Sequence, residues 1–408
     1  VTILVNPARF RFGADTAIGR LLGDEPAGLA IDFTTGQAIV RDNTAPVTNF
    51  IGDANSLLTY TSPSTKWIFN SSGVLVSGTT LRCDHDPVTL TPLGVLMEET
   101  RTNVLLRSQD FTTTWAVFGA AGPVTANTHT APDGTTTADT VAFSGAGGQI
   151  YQGPGWAAAT YTLSIYARSV SGTKQFRLKI TINSVDNFSA DFTATTTWQR
   201  FTFTIVASTG VNNVACVNGS SGAAGPLVVW GAQLEAGAFS TSYIPSVGST
   251  VTRGADNISL LATSIPVNAS AGTIAVEAYP GSTATDYWLA VLSDTTAANR
   301  HELYLNASVV GSLSVSASAT QANITKGPAT VNALLKAAYG FAADNYAFTT
   351  NGAVAGTDVA GASMPAVTRL NIGGNWAGSA GYLNGRIRTL RYLPRRAGNA
   401  ELANMTVL

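Results

Sequence analysis

Residues 161–182 read YTLSIYARSVSGTKQFRLKITI, and this stretch decides the fold class. Apolar and polar residues alternate through 161–170 and again through 175–182, the period of a strand with one face buried. Ser171-Gly172-Thr173 breaks the pattern with small turn-forming residues. WQRFTFTIVA (198–207) and PLVVWGAQLE (226–235) repeat the alternation, and no long amphipathic helix interrupts them. Short alternating strands at such spacing predict a sandwich or jelly roll.

Further along, TIAVEAYP (273–280), YWLAVLSD (287–294), HELYLNA (301–307) and SLSVSAS (312–318) have the same period. ATVNALLKAAYGF (329–341) is rich in helix formers. It is nevertheless expected to be strand, because the alternation continues through 338–357 with Asn351-Gly352 as a hairpin turn. Only the end, around Gly398 to Asn404, is expected to be helical. Upstream, VTILV (1–5) is a strand candidate and KWIFNSSGVLVSGTTL (66–81) a hairpin turning at Asn70 to Gly73. The predicted class is mainly β: two jelly-roll β-sandwich domains preceded by an irregular, β-containing N-terminal anchoring region. The expected divisions are 1–100, 101–256 and 257–408.

A chain of 408 residues is too long for one core. It is 45% hydrophobic and 12% charged, against roughly 25% charged in ordinary domains. Thr/Ser-rich sheet faces and large subunit contacts both suit so few charges. A net charge of −1 argues against nucleic acid as a partner. No window approaches a membrane span. No basic segment followed by an apolar run opens the chain, so a soluble protein made in the cytosol is expected. Cys83 and Cys216 are the only cysteines and are read as free thiols.

The region Arg82 to Phe111, RCDHDPVTLTPLGVLMEETRTNVLLRSQDF, resembles a segment of phage and prophage virion proteins that precedes a jelly-roll module. GAQLEAGAFSTSYIPSVGSTVTRGAD, Gly231 to Asp256, is similar to the end of that module, which looks like a carbohydrate-binding module. GYLNGRIRTLRYLPRRAGNAEL, Gly381 to Leu402, resembles the closing strand and terminal helix of concanavalin-like, laminin-G-like jelly rolls. The resemblance implies a non-enzymatic fibre, spike or decoration subunit on the exterior of a phage particle, made in the host cytoplasm. It also implies attachment to other virion proteins through the N-terminal region, homo-oligomers of which trimers are the commonest, and adhesion to host surface glycans.

Little in the sequence suggests catalysis. His85, His129 and His301 are far apart, and no HExxH or GxSxG occurs. Asp84-His85-Asp86 is read as local hydrogen bonding, and Glu98-Glu99 as ion pairing to Arg101 or Arg107. No catalytic pair, metal site or cofactor is nominated. Sugars bind by stacking on exposed Trp or Tyr, with amides and carboxylates taking the hydroxyls. Trp376 and Asn375 in the loop GGNWAGSAG, and Trp156 in GPGW, are the candidate glycan-binding residues. The competing expectation is that these tryptophans plug loops or anchor subunit contacts. The other five tryptophans are expected in the core. Two functional alternatives stand beside adhesion: a polysaccharide-degrading tailspike enzyme, and a secreted bacterial glycan-binding protein.

Overall fold

The computed structural model describes residues 17–42, 49–153, 155–207, 214–218 and 224–408. Two compact units result. One takes Val1–Ser62, Thr79–Glu99 and Ala255–Leu408; the other takes Pro63–Gly78 and Thr100–Gly254. Both are β-sandwiches, so the expected class holds. The strand expected at 1–5 lies outside the described residues.

The first unit packs a ten-stranded sheet against a seven-stranded one. The larger sheet sends Ile274, Val276, Tyr339, Phe341, Leu390 and Tyr392 into the core; the smaller sends Leu292, Leu303, Leu305, Leu370 and Ile372. The leader is not a module of its own. Gly28–Asp32, Gln37–Arg41, Phe50–Asp53, Cys83–His85 and Pro92–Met97 are strands of the ten-stranded sheet, and Thr59–Thr61 is the edge of the other. The physical reason is an unpaired flank. Gly385–Leu393 pairs with Ala271–Tyr279 on one side, and Gly28–Asp32 and Pro92–Met97 satisfy its other side. The last strand is therefore internal, and arginines in it and just after it are held by partners. Arg386 pairs with Asp84 at 2.6 Å, Arg391 donates to the Leu21 carbonyl at 2.7 Å, and Arg395 binds Glu25 and Glu401.

Leu335–Ala342 is a strand, as its alternation predicts. Its alanines have a packing cause. Leu335, Ala337, Tyr339 and Phe341 face the core, while Ala338 meets Ala275, Ala347 and Leu402 of the terminal helix, Asn399–Met405. Small residues on that outer face let the helix lie close to the sheet. Asn351 and Gly352 both take positive φ, as the turn expected there requires.

The second unit packs a six-stranded sheet against a five-stranded one around Phe176, Leu178, Ile180, Leu163, Ile165 and Leu234. The hairpin Lys66–Phe69/Leu75–Gly78 forms with its turn at Asn70–Gly73. It contributes Trp67 and Phe69 to a second aromatic cluster with Tyr166, Trp230 and Tyr243. A bulge at Gly231, φ +63°, re-aims the strand Gly225–Ala236 between these two clusters.

The two ends of this unit's main segment, Thr100–Gly254, meet in space. Arg101–Asn103 pairs with Val251–Arg253. Fully buried Asn103 donates to the Ala232 and Ile244 carbonyls at 3.3 and 2.9 Å and accepts from the Leu105 and Leu234 amides, both at 3.1 Å. Buried Glu235 accepts from Gln233 Nε2, Thr241 N and Thr241 Oγ1 at 2.6–2.7 Å, and Arg253 donates to Thr241 Oγ1 at 2.9 Å. Ser108 and Tyr243 share a hydrogen bond of 2.8 Å. These residues form a polar lock between the start and end of the sandwich, which is a structural role. Cys83 is a free thiol whose pKa burial pushes up to about 11. The backbone of Cys216 lies in the strand Val214–Asn218, and its side chain is outside the described residues.

Candidate functional site

The outward face of the seven-stranded sheet carries the best-formed cluster of sugar-type residues. In the strand Arg300–Leu305, His301, Leu303 and Leu305 point to the core, so Arg300, Glu302 and Tyr304 point out. Register places Tyr304 opposite Trp288 in the neighbouring strand Tyr287–Ser293. Asn371, in the strand Arg369–Ile372, lies on the same face and is covered by the loop that follows it.

That loop, 373–381, contains Trp376. Asn371 Nδ2 donates to the Asn375 and Trp376 carbonyls at 2.9 and 2.6 Å, and Ser293 Oγ donates to the latter at 3.3 Å. Asn257 Nδ2 holds the Gly378 carbonyl at 2.9 Å. Gly381 closes the loop with φ +60° against the face of Trp288; a Cβ there would fall 2.0 Å from the Trp288 ring. Trp288 in turn meets the Trp376 ring edge-to-face, 5.5 Å between centroids at 88°. The Arg300 guanidinium lies 4.8 Å from the Trp376 ring centroid.

One carboxylate ties this frame together. Glu302 is only 3% exposed, and its Oε2 accepts from Trp288 Nε1 at 2.9 Å and Arg300 Nε at 2.8 Å. Burial raises its pKa above the ordinary carboxylate value, with Arg300 opposing. Half-buried Tyr304 donates from its hydroxyl to Asn323 at 3.3 Å. The result is a half-buried indole held by Trp288 and Arg300, on a sheet face that also carries Tyr304 opposite Trp288. A preset aromatic of this kind loses little freedom on meeting a sugar ring.

The residues singled out in the sequence fare differently. Trp376 is half-buried at the surface of this frame. Asn375 is 8% exposed, and its Oδ1 accepts from the Ser379 amide at 3.0 Å, so it shapes the loop instead of facing outward. Trp156 belongs to the other unit, where it packs against the core with its ring 5.5 Å from that of Tyr161. Trp288, expected in the core, is on the outer face. Arg300, Glu302 and Tyr304 were legible as one face from the alternation of RHELYL alone, had the strand been read for its polar side.

Several acids elsewhere hold the fold together. Asp84 pairs with Arg386, Asp86 accepts from the Val88 and Thr89 amides, and Asp256 binds Tyr60, Arg82 and the Glu98 amide. Glu99 accepts from Asn384 at 3.0 Å, and Arg107 lies 3.8 Å from Asp110. Among the described residues no three of His, Cys, Asp and Glu gather into a metal-sized group, and no helix is long and apolar enough to cross a membrane.

No family model matches this chain, and no curated protein does. Among solved structures it is similar to the CBM40 module of a Ruminococcus gnavus sialidase bound to α2,3-sialyllactose. Identity there is 18% over 35% of this chain and 84% of that one, at a TM-score of 0.30. The CBM22-1 xylan-binding domain of Paenibacillus barcinonensis Xyn10C matches at 12% identity over 34% of this chain and 94% of that one, TM-score 0.28. The tandem CBM22-1–CBM22-2 domain of the same enzyme matches at 9% over 71% and 96%, TM-score 0.28. Overlaps of this quality say nothing about what the present chain binds.

Proposed function

We propose that this chain is a non-catalytic glycan-binding protein whose ligand lies across the outer face of the seven-stranded sheet. The observation that carries the reading is the half-buried Trp376, held against Trp288 and Arg300, both anchored by Glu302, on a face that also carries Tyr304 and Asn323. Rings presented in this way suit the C–H face of a sugar, and the surrounding amides and charges suit its hydroxyls. In its biological setting the protein is an adhesion subunit on the exterior of a phage particle. It attaches to other virion proteins through its N-terminal region, and copies assembled as trimers gain avidity for a host surface glycan. Support for that setting is the sequence resemblance of Arg82 to Phe111 and Gly231 to Asp256.

Trp376→Ala is expected to weaken binding to extracted bacterial surface polysaccharide by about 10-fold per site, roughly the value of one aromatic stacking contact. Trp156→Ala is expected to lower the stability of its own unit and leave binding by the folded protein unchanged. Equilibrium binding by both variants checks the pair; undiminished binding by Trp376→Ala removes this face from consideration.

A second reading is favoured by one feature. Burial raises the pKa of the Glu302 carboxyl, against the opposing Arg300 charge and the Trp288 hydrogen bond, and a raised carboxyl is what a general acid needs. On that reading the protein cleaves the polysaccharide it binds. Shortened glycan chains whose appearance Glu302→Gln abolishes would establish it.

A further inference from the structure

Two strands from Arg300, the same face carries a cation with no ion-pair partner among the described residues. Arg369 lines a shallow depression with Thr59, Thr61, Asn257, Ser259 and Leu261. Register explains the grouping: Thr59 lies opposite Ser259, Thr61 opposite Asn257, and Leu261 opposite Arg369. None of the six lining residues is acidic. Among the described residues the half-buried Arg369 guanidinium has no hydrogen-bond or ion-pair partner. A guanidinium offers five donors in a planar fork that matches an oxyanion. Hydroxyls and an amide around it suit sugar hydroxyls, and half-exposed Leu261 gives an apolar edge.

The depression is continuous with the Trp376 loop. Asn257, on its wall, holds the Gly378 carbonyl. Arg369 pairs in register with Ser293, which donates to the Trp376 carbonyl and lies opposite Arg300. Arg369 and Arg300 are therefore two strand spacings apart, about 10 Å. That span fits neighbouring residues of one saccharide. Resting on the glycan-binding reading above, we propose that the Arg369 depression is an anionic subsite: it takes the carboxylate or sulfate of an acidic saccharide whose next ring lies against Trp376.

The test uses the full chain on a printed array of neutral, uronic-acid-containing and sulfated saccharides. Acidic saccharides are expected to be retained, and the array separates carboxylate from sulfate as the anion. Arg369→Gln should weaken their binding by about 10- to 100-fold, the usual value of a charge-assisted contact, at an unchanged melting temperature. Arg369→Lys should recover part of it, and added salt should weaken the wild type. Acidic saccharides held equally by Arg369→Gln, or only neutral ones held in a Trp376-dependent way, overturn the anionic subsite and leave glycan binding standing. Retention of no saccharide overturns both.

Discussion

Asn103→Ala is expected to destabilise the unit built from Pro63–Gly78 and Thr100–Gly254 by roughly 4 kcal/mol, the sum of several buried groups left without partners. The wild-type amide makes five hydrogen bonds, three as donor (to the Ala232 and Ile244 carbonyls and Ser246 Oγ) and two as acceptor, from a fully buried position. Alanine strands the Leu234 and Leu105 amides and the Ala232 and Ile244 carbonyls together. These groups belong to both ends of the sandwich, so the loss should be felt across the whole unit and not as local fraying. Asn103→Asp should be nearly as harmful, because an oxygen would then face two carbonyls. Hydrogen exchange across the strands Ala159–Ser169 and Gly225–Ala236 in urea reads the effect directly. Unchanged protection there would refute the lock.

Acid should weaken the first unit through one histidine. His301 is fully buried, stacked 3.7 Å from the Phe341 ring, with Nδ1 2.6 Å from Ser314 Oγ. Burial holds its pKa down to about 3, against 6.5 in the free side chain. The sign follows from proton binding: below about pH 6.5 the unfolded chain takes up a proton that the folded chain refuses. The stability of the neutral buried ring is complete above that pH and is lost as pH falls toward the folded value. The expected loss is about 1.4 kcal/mol per pH unit, or about 3 kcal/mol by pH 4. Carboxylates held low by hydrogen bonds, such as Asp86 and Asp294, add their own acid sensitivity. Comparison with His301→Leu isolates the histidine: the variant's acid limb should be shallower by that slope. Parallel limbs for the two proteins would show that the ring is accessible to protons when folded.

Much of the fold was legible because period-two alternation reports one buried face, and most strands here have one. The ambiguous ATVNALLKAAYGF was settled by what followed it, and the helix packed on its alanines explains why the ambiguity existed. The leader was not legible as part of the first sandwich. Its strands complete a sheet whose other strands lie some 300 residues away, as the contacts between Asp84 and Arg386 show, and no local pattern encodes such pairing. The site was half legible. A glycine-rich loop carrying Trp376 stood out, whereas Trp288, Arg300, Glu302 and Arg369 come together only through strand register. Asn375 looked like a ligand group because asparagine beside tryptophan suits sugars equally well as it suits closing a tight loop.

The central claim is that one sheet face holds a glycan and does not cut it. The most direct measurement is tryptophan fluorescence of the full chain titrated with extracted bacterial surface polysaccharide, with the polysaccharide's length determined before and after. Saturable quenching that Trp376→Ala abolishes, at unchanged polysaccharide length, is the predicted result. Absence of saturable binding, or polysaccharide shortened by the protein, would contradict it.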